Sequence, residues 1–158
     1  MKKLLLSILV LTLVFAVGCS SEPETTLDKV QEEGTLTIGM SADYKPFEYT
    51  DENGEIVGFD VDVAKAIGDK LGVEVEFVDT AFSGQIPVLK SDKYDLIMSA
   101  MTITEKRAKS VDFTNQYFNA GQVVAVTADN DSIQSVEDLE GKKVGTQLGT
   151  TGDLKVSE

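Results

Sequence analysis

One arginine, Arg107, stands in a chain whose other cations are all lysines. A guanidinium grips a carboxylate through two parallel N–H bonds, whereas a lysine ammonium acts as a point charge, so this residue is the natural anchor for an acid group. Other groups suit the same chemistry. They are the hydroxyls of Ser41, Ser99 and Thr102, with the free backbone amides of the last two, and the rings of Tyr44 and Phe82. Further on, Gly149, Thr150, Thr151 and Gly152 form a turn whose hydroxyls and unpaired N–H groups favour an anion. Each has a plainer alternative: a solvated arginine between Lys106 and Lys109, two core aromatics, hydroxyls that only cap, an ordinary loop. The combination says more than its parts. A carboxylate clamp, an aromatic lid and a second anion-friendly turn are together what an α-amino acid requires.

Composition removes most competing chemistries. The 158 residues hold 14 Lys+Arg against 27 Asp+Glu, a net charge of -13, so no basic stripe exists to neutralise phosphates and nucleic acid is not an expected partner. There is no histidine, which excludes Ser-His and Cys-His catalysis and histidine-ligated metals. One cysteine cannot close an internal disulfide. Binding or carboxylate chemistry remains, with no metal or cofactor expected.

To bring these groups together the chain needs a scaffold, and in an open parallel sheet ligands bind beyond the carboxyl ends of the strands. Alternation over 36–40, over 73–77 and a buried run at 94–98 predict three such strands. Between them, a helix capped by Asp60 or Asp62 presents Val63, Ala64, Ile67 and Leu71 before Gly72, and Ser83 caps a short helix bearing Ile86 and Leu89. This β-α-β-α-β order implies an α/β layer with right-handed crossovers. It places the loops at 41–44, 81–83 and 99–107 on one rim. Ahead of the first strand, Thr26 caps a helix that turns Leu27 and Val30 inward and stops at Gly34. Residues 41–46 read as an irregular loop, and 47–50 and 56–59 as a hairpin about Asn53-Gly54. Thr104 caps a short helix, 111–113 and 122–127 read as strands, and Ser135 with Asp138 opens a helix ending at Gly141 before a strand at 144–145.

The N-terminus carries an address. Lys2 and Lys3 precede an apolar run over 4–17, too short for the roughly 20 residues of a membrane span but suited to a secretory leader. It ends at Ala16-Val17-Gly18-Cys19, which resembles the lipobox of bacterial lipoproteins, with Ala16 where that motif more often has Leu. Residues 1–18 are thus expected to be a signal peptide, Cys19 to be lipidated, and 19–26 to be a solvated tether.

From about Thr35 to Thr151 the sequence resembles the polar amino acid solute-binding proteins of bacterial ABC importers, which have the two-lobed periplasmic-binding fold. The motifs that carry the resemblance include Tyr44-Lys45-Pro46-Phe47-Glu48, Gly58-Phe59-Asp60-Val61-Asp62, Tyr94-Asp95-Leu96-Ile97, Met101 through Arg107, and Gly141-Lys142-Lys143-Val144-Gly145 leading to Gly149-Thr150-Thr151. The resemblance implies lobe 1 over 27–122 with a mostly parallel sheet, and a hinge and the opening of lobe 2 over 123–158. It implies that Arg107 pairs with a ligand α-carboxylate with help from Thr102 and Thr151, that Ala100 and the Ser99 region face the α-ammonium, and that Tyr44 and Phe82 sandwich the side chain. Ser41 stands where some relatives with cationic ligands have an acid, which favours a polar uncharged ligand, while nearby Asp43 keeps a basic one open. Implied partners are a free amino acid, the importer's membrane subunits and, through Cys19, a lipid membrane on the extracytoplasmic face. A non-enzyme is expected; the alternative is a cyclohexadienyl or arogenate dehydratase on the same scaffold, with Asp43 as general acid. Relatives continue through a complete second lobe. If that lobe carried half of the about 8 kcal/mol of a micromolar binder, this chain alone would bind only at millimolar ligand.

Overall fold

The computed structural model describes residues 25–157; the signal segment over 1–18, Cys19 and all but the last two tether residues lie outside the described residues. Those last two cap and open a helix instead. Thr25, not Thr26, is the cap of α1 (Thr26–Glu33), its hydroxyl accepting from the Asp28 amide at 3.1 Å. Val30 is buried as expected, but Leu27 stays 48% exposed and only borders a shallow groove with Leu36, Ile67 and Leu71. A polar clasp holds α1 to the sheet: the Lys29 ammonium donates to Asp95 at 2.9 Å, and the second Asp95 oxygen accepts the Thr37 amide.

The main sheet is parallel and three-stranded. Its centre is β1 (Thr35–Met40), with Ile38 opposite Phe77 of β5 (Glu74–Asp79) and Leu96 of β6 (Leu96–Ile97). The run expected over 94–98 forms only those two strand residues, although Asp95 and Met98 extend the bonding to Thr37 and Gly39. Gly39 is required there: a Cβ would sit 2.4 Å from the Tyr94 ring, whose hydroxyl donates to the Gln85 carbonyl. Helix α2 (Phe59–Leu71) covers the sheet, burying Val61, Ala64 and Gly68, with Val63, Ile67 and Leu71 partly covered. Val30, Leu36, Ile38, Met40, Val61, Ala64 and Met98 make the core.

Several local expectations need correction. Neither Asp60 nor Asp62 caps α2; Gly58 does, at φ 133, because a Cβ would lie 2.3 Å from the Phe47 carbonyl. The expected hairpin is a three-stranded antiparallel sheet, since Asp43 and Tyr44 of the supposed loop form β2 (Asp43–Tyr44) against β3 (Glu48–Thr50), which pairs with β4 (Ile56–Val57). A 3-10 turn, Phe82–Gly84, leads into α3 (Gln85–Leu89), and Ser83 caps neither. Thr104 does cap α4 (Glu105–Ala108).

Beyond α4 the chain changes character. No strand forms at 111–113, 122–127 or 144–145. Extended backbone becomes a strand only where a neighbour takes its hydrogen bonds, and none of the described residues offers these segments one. Ser135 and Asp138 form their capping box, on a 3-10 turn (Val136–Leu139) rather than a helix. The last element, α5 (Thr151–Val156), is capped by Thr150.

Candidate functional site

The strand order brings the three expected rim loops side by side. Ser41 follows β1, Phe82 lies just after β5, and Ser99 and Ala100 follow β6. Arg107 lies on α4, whose N-cap Thr104 accepts its amide at 3.2 Å and fixes where the side chain begins. Arg107 is only 8% exposed, and its guanidinium stacks over the Phe82 ring at 5.3 Å. One terminal nitrogen donates to the Thr102 carbonyl at 2.6 Å and the other to the Gly149 carbonyl at 2.9 Å. Arg107 therefore joins the first rim to the later turn that was expected to favour an anion.

Its electrostatics are unusual. Arg107 forms no ion pair among the described residues. Burial pulls its pKa below the ordinary arginine value, yet a guanidinium keeps its charge at neutral pH. Two carbonyl dipoles compensate that charge only in part, and three of the five N–H donors remain for another partner. A buried cation lacking a counter-charge is costly, and an arriving carboxylate removes that cost with two charge-assisted bonds.

Ser41 and Asp43 come together on the other side of the rim. The Ser41 hydroxyl donates to Asp43 at 3.1 Å, and the Gln147 amide reaches across from the later segment to both Asp43 oxygens, at 3.3 and 3.2 Å. Tyr44 stacks on Phe47 at 5.3 Å, half exposed, in a ring cluster with Phe59, Tyr117 and Phe118. Its structural partner is thus Phe47, whereas Phe82 is partnered by Arg107. Thr150 donates to the Gln147 carbonyl and accepts the Asp153 amide, and Thr151 accepts from Gln122 at 2.9 Å. Thr102 contributes its carbonyl to Arg107 and is otherwise exposed.

Beneath this surface lies a polar layer that sequence reasoning missed. The Ser99 hydroxyl is saturated: it donates to Glu48 at 2.8 Å and accepts from the Ser41 amide and from Gln85. Ala100, at φ 44, donates its amide to Asp60 at 2.8 Å, and the Tyr117 hydroxyl donates to the same oxygen at 2.9 Å. A non-glycine residue in the left-handed region is strained, and this bond helps hold it there. Glu48, Asp60 and Gln85 are fully buried, each with one oxygen lacking a hydrogen-bond partner. Burial above all, and then Asp60 and Asp43, push the Glu48 carboxyl up to about 8 against the lowering effect of Ser99. The Tyr117 phenol is raised above its ordinary value by burial and by Asp60. Among the described residues no group of three or more acidic, histidine or cysteine side chains is placed to hold a metal.

Known proteins share this fold. Residues 36–154 match the profile of bacterial extracellular solute-binding proteins, family 3. The arginine-binding extracellular protein ArtP of Bacillus subtilis (strain 168) is 42% identical over 158 residues, covering 100% of this chain and 60% of that protein. Holo ArgBP from T. maritima is 54% identical with a TM-score of 0.79, over 82% of this chain and 58% of that one. The ancestral amino acid-binding protein AncCDT-1, a precursor of cyclohexadienyl dehydratase, is 50% identical with a TM-score of 0.82, over 84% of this chain and 60% of that one. The chain thus spans about 60% of the length of these relatives, and its α/β fold is periplasmic-binding-protein-like.

Proposed function

The chain belongs to the bacterial extracellular solute-binding proteins, family 3, and from that premise we propose that it is part of an amino acid receptor serving an ABC importer. The observation that carries this reading is the buried Arg107, without an ion pair among the described residues and seated on Phe82 with donors to spare. It holds the α-carboxylate of the ligand. The turn at Gly149, Thr150 and Thr151 closes over that carboxylate from the second lobe, and the backbone at Ser99 and Ala100 meets the α-ammonium. Residues 27–122 act as lobe 1, and 123–158 as the hinge and the opening of lobe 2.

The ligand side chain is basic. Asp43, exposed on the rim beside Ser41 and Gln147, supplies the negative charge for it, which revises the uncharged side chain that Ser41 alone would favour. The arginine-binding relatives agree with that choice. Closure follows from differential affinity: ligand contacts made by both lobes exist only in the closed state, so ligand shifts the population toward it. As a binding protein the chain has no chemistry to perform, and prephenate incubated with it stays unconverted.

Calorimetric titration tests the reading. L-arginine is expected to bind more tightly than L-glutamine, and Arg107→Ala to abolish the heat of both. Affinity in these residues alone is expected near millimolar, since they span about 60% of the length of the relatives. Equal binding to the Arg107→Ala variant would overturn the assignment. We further propose that Cys19, closing the leader-like run, carries a lipid on the extracytoplasmic face; Cys19→Ser is then expected to move the protein from the detergent phase to the aqueous phase in a two-phase partition. Unchanged partition would contradict the anchor.

A further inference from the structure

Two acidic side chains, Glu48 of β3 and Asp60 of α2, are buried to 1% and 0% exposure and bond to consecutive residues, Ser99 and Ala100. Each has one oxygen fully accounted for. Glu48 Oε1 accepts the Ser99 hydroxyl, and Asp60 Oδ2 accepts the Ala100 amide and the Tyr117 hydroxyl. Each also has one oxygen, Oε2 and Oδ1, that is buried without a partner. Two buried carboxylates tied to consecutive residues, each with an orphaned oxygen, cannot both be charged at reasonable cost, since neighbouring like charges raise one of the pair and burial adds to it. A single proton between them satisfies both.

The charged and titratable groups facing Glu48 agree with that. They are Asp60 on α2, Asp43 on β2 and Tyr117 in the segment after α4, with the neutral Ser99 hydroxyl; none is a cation. Arg107, the cation of the rim above, is engaged with Phe82 and two carbonyls instead. We propose that Glu48 and Asp60 share one proton, and that this proton holds the rim segments at Ser41 and Ala100 in place from beneath. One branch of the network runs from Glu48 through the Ser99 hydroxyl to the Ser41 amide, and the other from Asp60 to the Ala100 amide. Loss of the proton leaves two adjacent charges under the rim with no counter-ion, and both amides lose the geometry that holds them.

The sign of the pH effect follows. The Glu48 carboxyl sits at about 8 in the folded chain, above the ordinary glutamate value of 4.5, so the folded state binds the proton more tightly. Stability from this group is complete below the ordinary value and is lost as pH rises towards about 8, with no further loss above it. Glu48→Gln imitates the protonated form, its amide donating to Asp60 while its carbonyl accepts from Ser99.

Thermal unfolding of the wild-type chain and Glu48→Gln between about pH 5 and about pH 8 is the first test. The wild type is expected to lose stability across that range more steeply than the variant, and parallel profiles would overturn the proposal. If the variant fails to fold, carbon-detected NMR of the wild type decides: the Glu48 carboxyl carbon is expected to titrate above neutrality, with the Ser41 and Ala100 amides following the same midpoint. Titration of Glu48 in the ordinary carboxylate range, or amides that ignore it, would overturn the proposal. No ligand enters either experiment, so failure here leaves the amino acid reading standing, and failure of that reading leaves this one.

Discussion

Residues 25–108 and residues 109–157 both carry alternating apolar runs, to different effect. In the first region every alternating apolar run finds a neighbour: β1 pairs on both sides, and Ile38 and Met40 are completely buried. In the second, the valines at 123, 124 and 126 have the same alternation-friendly chemistry, yet Val123 is 89% exposed and no ladder forms. The second region is fastened by side chains at a few points, among them Tyr117 to Asp60, Phe118 against Phe47, Gln147 to Asp43 and the Gly149 carbonyl to Arg107. The first region's fold thus comes from sheet and core, while the second is positioned by the site. Arg107 is where the two meet.

The contrast can be strained from either side. Ile38→Ala removes the centre of the packed region and is expected to cost about 4 kcal/mol in denaturant unfolding, as buried large-to-small changes do; a loss below about 1 kcal/mol would mean that the sheet is not the stabilising unit. At the junction, Arg107→Lys keeps the charge but loses the planar fork, and L-arginine affinity is expected to fall by roughly tenfold to a hundredfold with little change in stability. Thr25→Ala deletes the α1 cap and is expected to cost about 1 kcal/mol. Least of all, Val123→Thr in the exposed segment is expected to change stability by less than about 0.5 kcal/mol. A large effect there would show that the second region packs after all.

Sequence reasoning reached the scaffold because period-two alternation and glycine stops are local signals. Thr35–Met40, Glu74–Asp79 and the helix ending at Gly72 were all legible in that way. It misjudged features set by distant partners. Asp60 looks like a helix cap, but its carboxylate is used by Ala100 and Tyr117, 40 and 57 residues away. Asp43 and Tyr44 look like loop residues because their pairing with β3 depends on a turn, not on their own side chains. The strands expected at 111–113 and 122–127 have the right composition, but a strand is a property of a pair. Of the rim residues, Arg107 stands out in the sequence because it is the single guanidinium. Glu48, Gln85 and Gln147 were not, since a buried polar network has no signature until the chain is folded.

On the proposed reading, Arg107 waits for a carboxylate. The most direct measurement is to follow its Nε–H signal, with the Gly149 and Thr102 backbone signals, by NMR while L-arginine is added to the chain. These signals are expected to shift together and saturably, and the methyl ester of L-arginine, which lacks the carboxylate, is expected to leave them still. Equal shifts with the ester, or an Arg107 signal unmoved by the acid, would contradict it.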